Sequence, residues 1–213
     1  MFDYFKKARI LHNKNGPAEI QYYHDGSVFS EQYYVNGKLH RKDGPAYTFY
    51  NSNGNAKAQG YYINGRINRK DGPAYITYDD RGSISIEKYY KNGIIHREDG
   101  PALITYDKKI ILSKSYFING RLHRNDGPAQ IEYYKDGSLE SEIYYIKGKQ
   151  HREGSPSTII YYRDGSINHE QYHKNGSLHR VGGPANIEYY KSGRVKAESY
   201  FRNGKLIENK EKI

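Results

Sequence analysis

Apolar and aromatic residues arrive along this chain in short runs, and a glycine closes each run about every ten residues. "AEIQYY" ends at Asp25-Gly26 and "SVFSEQYYV" ends at Asn36-Gly37. Runs that are aromatic and β-branched, with turn residues on both sides, read as strands. Helices have no room between such closely spaced glycines. Asp-Gly and Asn-Gly are hairpin signals, because a two-residue type I′ turn needs positive φ at both central residues. If both turns are of that kind, Ala18, Ile20 and Tyr22 share a face with Glu31 and Tyr33 across the strand. Tyr34 and Leu39 then share the opposite face. Cross-strand pairs of this kind contribute roughly 0.2–1 kcal/mol each.

The pattern repeats. The seven prolines, Pro17, Pro45, Pro73, Pro101, Pro128, Pro156 and Pro184, are spaced by 28, 28, 28, 27, 28 and 28 residues. The idealised unit is "LHRxDGPAxIxYYxDGSxxxExYYxNGK". Tyrosine never varies at Tyr22, Tyr50, Tyr78, Tyr106, Tyr133, Tyr161 and Tyr189, nor at Tyr33, Tyr61, Tyr89, Tyr116, Tyr144, Tyr172 and Tyr200. Seven copies cover Leu11 to Lys205 as one repeat domain over residues 1–213, with caps at 1–10 and 206–213. "FDYFKKARIL" is expected to lie over the first hairpin as a short helix or strand, and "LIENKEKI" to close the last edge. A lone hairpin is marginal in water, so each unit must lean on its neighbours. The predicted fold is all-β: an elongated single-layer antiparallel β-hairpin repeat array, about fourteen short strands in a twisted ribbon. A propeller is the weaker alternative, because its blades need about 40 residues or more.

"LHRKDGPA" at 39–46 returns as "IHREDGPA" and "LHRNDGPA". "HRxD" is similar to the catalytic loop of protein kinases, but one chain carries many copies, and neither a Gly-rich nucleotide loop nor a DFG segment accompanies them. An architectural kink fits better. Gly44, Gly72, Gly100 and Gly127 are expected to take a special φ. Pro45, Pro73, Pro101 and Pro128 lack an N–H and sit where no ladder bond is needed. The kink moves the chain from pairing with one hairpin to pairing with the next, and His40 lies opposite Tyr33. Arg41 pairs with Asp43, or Asp43 bonds its own backbone as turn aspartates do. The departures are Asn68 for histidine, Gly154-Ser155 and Gly182-Gly183 for Asp-Gly, and Asn13 and Asn15 in the first copy. All seven prolines survive them.

"YYVNGKLHRKDGPA" and "EQYYVNGK" resemble MORN repeats, and more closely the longer MORN variant of YwqK-like bacterial proteins. The "LHRxDGPA" wording is similar to repeat proteins of phages, giant viruses and some bacteria. The chain departs where the family's "HG" becomes "HR" and where "DGPA" is gained. The resemblance implies an elongated antiparallel sheet, no enzyme activity and no cofactor. Family roles include protein–protein scaffolding, dimerisation and binding of anionic lipid. A MORN-like scaffold docking a protein partner or itself is therefore expected, in the cytoplasm or within a virion or virus-infected cell, as a component of a particle or larger assembly.

Composition adds three points. Aromatic residues make up 15% of the 213 residues, and 25 of them are tyrosines, which argues against disorder. There is no cysteine, so no disulfide or thiolate metal site, and no run long enough for a membrane span. The formal net charge is +10, which draws phosphates or acidic surfaces, or simply keeps a repetitive sheet in solution. The residues after the Asn-Gly glycines are Lys38, Arg66, Ile94, Arg121, Lys149, Ser177 and Lys205. The basic ones, Lys38, Arg66, Arg121, Lys149 and Lys205, form a candidate partner-binding edge, repeating roughly every 10 Å. The bland reading is that they are solvated and that the arginines from Arg41 to Arg180 pair with aspartates. Nucleic acid or acidic lipid is the alternative partner, although tyrosines committed to packing leave few platforms for base stacking. The repeat histidines are about two strands apart, too far for one metal ion, and His169 with His173 is a weak local pair.

Overall fold

The structure is a computed structural model and describes residues 11–13 and 15–211. The expected N-terminal cap, residues 1–10, lies outside the described residues. Every described element is a strand, and no helix is long and apolar enough to cross a membrane. Fifteen strands form one antiparallel sheet in strict chain order, and six further two-stranded hairpins accompany it. Each repeat supplies a first strand, such as Glu19–Tyr22 or Tyr47–Tyr50, and a second, such as Val28–Gln32 or Ala56–Gly60. The fifteenth strand, Lys205–Glu211, pairs with Val195–Arg202 and continues the sheet past the last repeat. The described residues gather into two compact units, those within 11–84 with Tyr89–Gly93, and Ser85–Lys88 with 94–211.

The Asn-Gly turns are type I′ as expected: Asn36 has φ 51° and Gly37 φ 73°. They close hairpins in which Tyr34 faces Leu39. The Asp-Gly turns differ. Only Gly26 has positive φ (84°) there, and Asp25 does not. Tyr23 N–H donates to Ser27 O at 2.8 Å, so the loop has three residues, His24 to Gly26. Asp25 prefers this form because its carboxylate accepts from the Ser27 N–H at 2.9 Å and the Ser27 hydroxyl at 2.6 Å. The expected core register survives nonetheless, with Ile20 opposite Glu31. Beyond the longer loop the pairing jumps from Tyr22↔Val28 to Gln21↔Ser30, and the bulged Phe29 absorbs the shift.

The 27-residue spacing between Pro101 and Pro128 has its cause in the same place. There Asp107 faces Ile110 across a two-residue turn whose Lys108 and Lys109 both have positive φ, 51° and 73°. One residue is lost from the loop. The bulge is kept, and Ile104 faces Lys114 as its counterparts do elsewhere.

The chain changes partner at each "HRxDGPA" segment. His40 N–H donates to Tyr33 O, beside the Asn36-Gly37 hairpin, and Arg41 N–H donates to Tyr62 O, in the next Asn-Gly hairpin. The strand Tyr47–Tyr50 then pairs with Val28–Gln32 behind it and Ala56–Gly60 ahead. The residue after the proline is fully buried as Ala46, Ala74, Ala102, Ala129 and Ala185, and as Ser157. Ile76, Ile104, Ile159 and Ile187 are the larger buried side chains, each worth roughly 1.5–3 kcal/mol. Of the four kink glycines only Gly72 takes a positive φ (157°), and Gly44, Gly100 and Gly127 do not. What favours glycine is a close approach: a Cβ on Gly44 would sit 3.0 Å from Arg41 Cζ, so the guanidinium would have to give way.

Candidate partner-binding edge

The recurring polar residues are used by the repeats themselves. His40 Nδ1 accepts the Asn64 N–H at 3.1 Å, and so tethers one Asn-Gly turn to the next. His12, His96, His123, His151 and His179 do the same for Asn36, Asn119, Lys147, Asn175 and Asn203, at 3.0–3.3 Å. Asn68, which stands in for histidine, accepts the Asn92 N–H through Oδ1 at 3.0 Å. The side chain at this position thus serves as an acceptor for the next turn.

The arginines are equally committed. The Arg41 guanidinium lies 4.0 Å over the Tyr33 ring, and Arg69, Arg124, Arg152 and Arg180 lie at 3.8–4.2 Å over Tyr61, Tyr116, Tyr144 and Tyr172. Such stacking is worth about 0.5–1 kcal/mol or more. Nη1 donates to the carbonyl of the following proline, at 3.2 Å for Arg69 and Pro73. Asn13 replaces this in the first copy, donating from Nδ2 to Pro17 O at 2.9 Å. Nε of Arg41, Arg97 and Arg124 donates to Asp43, Asp99 and Asp126. These hydrogen bonds hold the Asp99 and Asp126 carboxyls below the usual range. An open groove between successive kinks is lined by Arg97, Asp99, Tyr116, Arg124 and Asp126, but its arginines and aspartates already pair with each other.

The other invariant tyrosine reaches back one repeat. Tyr50 Oη donates to Glu31 at 2.9 Å, and Tyr106, Tyr161 and Tyr189 donate to Glu87, Glu142 and Glu170. Tyr78 finds Gln59. Where lysine replaces the acid, the Lys114 ammonium lies 5.6 Å over the Tyr133 ring instead. Burial first, then the bond to the carboxylate, pushes the Tyr50, Tyr161 and Tyr189 hydroxyls up.

Ser157 and His173 also change together. Serine replaces the buried alanine, histidine replaces the neighbouring aromatic, and Ser157 Oγ lies 2.9 Å from His173 Nδ1. Ser157 is fully buried, so no substrate reaches it. Burial pushes His173 down. His169 bonds Asn186 rather than His173. No group of metal-ligating side chains occurs among the described residues.

What is left is the line of Asn-Gly turns. Lys38 and Arg66 lie in one unit, and Arg121, Lys149 and Lys205 in the other. All five are exposed, and none has an ion pair among the described residues. The stems lie over the next turn: a Cβ on Gly65 would meet Lys38 Cβ at 3.5 Å, and one on Gly148 would meet Arg121 Cβ at 3.6 Å. The seven four-residue turns hold Lys38, Arg66, Lys91, Arg121, Lys147, Lys149, Lys174, Arg202 and Lys205, and not one Asp or Glu. The opposite ends of the hairpins are charge-balanced, with Lys191 beside Asp164 at 3.3 Å and Lys135 beside Asp107 at 4.0 Å. The asparagine and glycine N–H groups of these turns take no part at the basic side chains, because they are spent on the residues that open each copy.

Neither a family model nor a curated protein matches the chain. The class of protein defined by fold and site is an all-β antiparallel hairpin repeat whose Asn-Gly turns carry exposed basic side chains.

Proposed function

We propose that this protein is a non-enzymatic, MORN-like repeat scaffold that docks an acidic protein partner along its Asn-Gly turns. One observation carries the reading: these turns concentrate nine basic side chains and no acidic one, while the other recurring polar residues serve the repeats. Each exposed charge is worth little alone, typically 0–1 kcal/mol, so the affinity comes from many weak contacts in a row. Kink residues such as Gly100 and Pro101 are then architectural, placing successive turns in line. A second reading, a basic adaptor for nucleic acid or acidic lipid, is favoured by the contacts being side-chain only. A row of point charges holds any anion.

The test is a variant with Lys38, Arg66, Arg121, Lys149 and Lys205 all changed to Glu. The fold should survive, because all five are exposed. Binding to an acidic polypeptide should fall, more so at low salt where charges are least screened. Single-stranded DNA and anionic vesicles measured in parallel decide between the readings, since phosphate contacts weaken steeply with salt. Equal binding of wild type and variant to all three probes would sink both.

A further inference from the structure

We propose that the Asn-Gly turns are latent deamidation sites, held off by the backbone bonds that dock each turn on the segment opening its copy. Six turns carry the pair: Asn36-Gly37, Asn64-Gly65, Asn92-Gly93, Asn119-Gly120, Asn175-Gly176 and Asn203-Gly204. All six asparagines are exposed, so water reaches them. Glycine at the next position leaves the side-chain amide carbon unshielded. In deamidation the glycine backbone nitrogen attacks Asn Cγ, and a C–N bond forms. The Cγ–Nδ2 bond breaks, and ammonia leaves with the glycine proton. Water then opens the cyclic imide to aspartate or isoaspartate, with no change of oxidation state.

The attacking nitrogen must first give up its hydrogen bond. In every one of these turns the glycine N–H donates to the residue that opens its own copy: Gly37 to Leu11 O, Gly65 to Leu39 O, Gly93 to Ile67 O, Gly120 to Ile95 O, Gly176 to Gln150 O and Gly204 to Leu178 O, all at 2.8–2.9 Å. The asparagine N–H is held as well, by the histidine or by Asn68. Attack therefore waits for the turn to lift off the segment that opens its copy. Asn53-Gly54 is the internal comparator. It lies in the other class of loop, and Gly54 N–H makes only a local turn bond to Asn51 O at 2.9 Å. Each conversion puts a negative charge into a line that has none. Only that consequence for docking rests on the function proposed above; the chemistry stands without it.

The experiment incubates the native chain and the urea-unfolded chain in the same mildly alkaline buffer and maps aspartate and isoaspartate by peptide mass spectrometry. The six turn asparagines should convert at least about tenfold more slowly in the native protein, as expected for sites that react only through local opening. Asn53 should show much less protection. His96→Ala, which removes the acceptor for Asn119 N–H, should speed Asn119 and leave Asn64 unchanged. His96→Asn should restore the slow rate, which separates gating from general unfolding. Equal rates in native and unfolded chains, equal protection of Asn53 and the turns, or no response of Asn119 to His96→Ala would overturn the proposal.

Discussion

A histidine, an arginine and a glycine that look like chemistry in "HRxDG" are each explained by one contact. The clearest case is His96, whose Nδ1 accepts the Asn119 N–H at 3.0 Å, because Asn68 shows what that position needs. His96→Asn should melt close to wild type. His96→Ala should lose about 0.5–1.5 kcal/mol for the bond from Asn119, and more for the ring's bond to Glu98 and its nearly buried surface. Urea denaturation checks both, and a His96→Asn variant as damaged as His96→Ala would show that the ring matters for more than its lone pair. Gly100 obeys similar local logic. A Cβ there would stand 3.1 Å from Arg97 Cζ, so the guanidinium would have to move. Ser155 does carry a Cβ at the equivalent position, and the residue before it is Gly154, which takes φ 66°.

At the scale of one hairpin, loop and bulge are coupled. The three-residue Asp-Gly loop and the bulge at Phe29 offset each other, so the side-chain faces stay in phase. The repeat with Lys108-Lys109 reaches its turn through two left-handed lysines. A left-handed residue other than Gly, Asn or Asp costs roughly 1–2 kcal/mol. Replacing the pair by Asn-Gly, the preferred type I′ sequence, should therefore stabilise the protein by about 1–2 kcal/mol in total, allowing for glycine's own entropy cost. The measurement is the denaturation midpoint of the double variant against wild type. An unchanged or lowered midpoint would mean that the lysine side chains hold something the turn geometry does not reveal.

Across the whole molecule, stability is distributed over copies of the same few contacts. The tyrosine hydroxyls give a collective test. Tyr50, Tyr62, Tyr90, Tyr144 and Tyr172 are raised above the ordinary value of 10.0, each mainly by burial, and so are Tyr47, Tyr161 and Tyr189. A raised phenol favours the protonated form in the fold. Its contribution is complete below the unfolded value and is lost as pH rises through the folded one. Stability should thus hold up to about pH 10 and then fall steadily. Melting temperatures across an alkaline series, alongside the ultraviolet signal of tyrosinate, would show it. Tyrosines that ionise at the ordinary value, with no loss of stability, would contradict the buried hydroxyl network.

The repeat phase, the strands, the Asn-Gly turn type and the pairing of Ile20 with Glu31 were legible because they depend on residues close in the chain. Backbone φ preference and two-residue alternation are local properties. The three-residue Asp-Gly loop and the bulge that corrects it were not, since a bulge is decided by the competition between loop and ladder, whereas the edge strand Lys205–Glu211 falls in the segment that the sequence assigns to closing the last edge. Nor were the acceptor role of His40, the stacking of Arg41 on Tyr33, or the bond from Tyr50 to Glu31. Departures within the repeat held the clue: Asn68 for histidine, Asn13 for arginine and Lys114 for glutamate each keep a contact by another route. Sequence by itself determined that seven copies would stack as hairpins and that the turns would be basic. Only the tertiary structure decided which charges stay unpaired, because that depends on which neighbour each side chain meets when one repeat docks, a full repeat away in sequence, on the next.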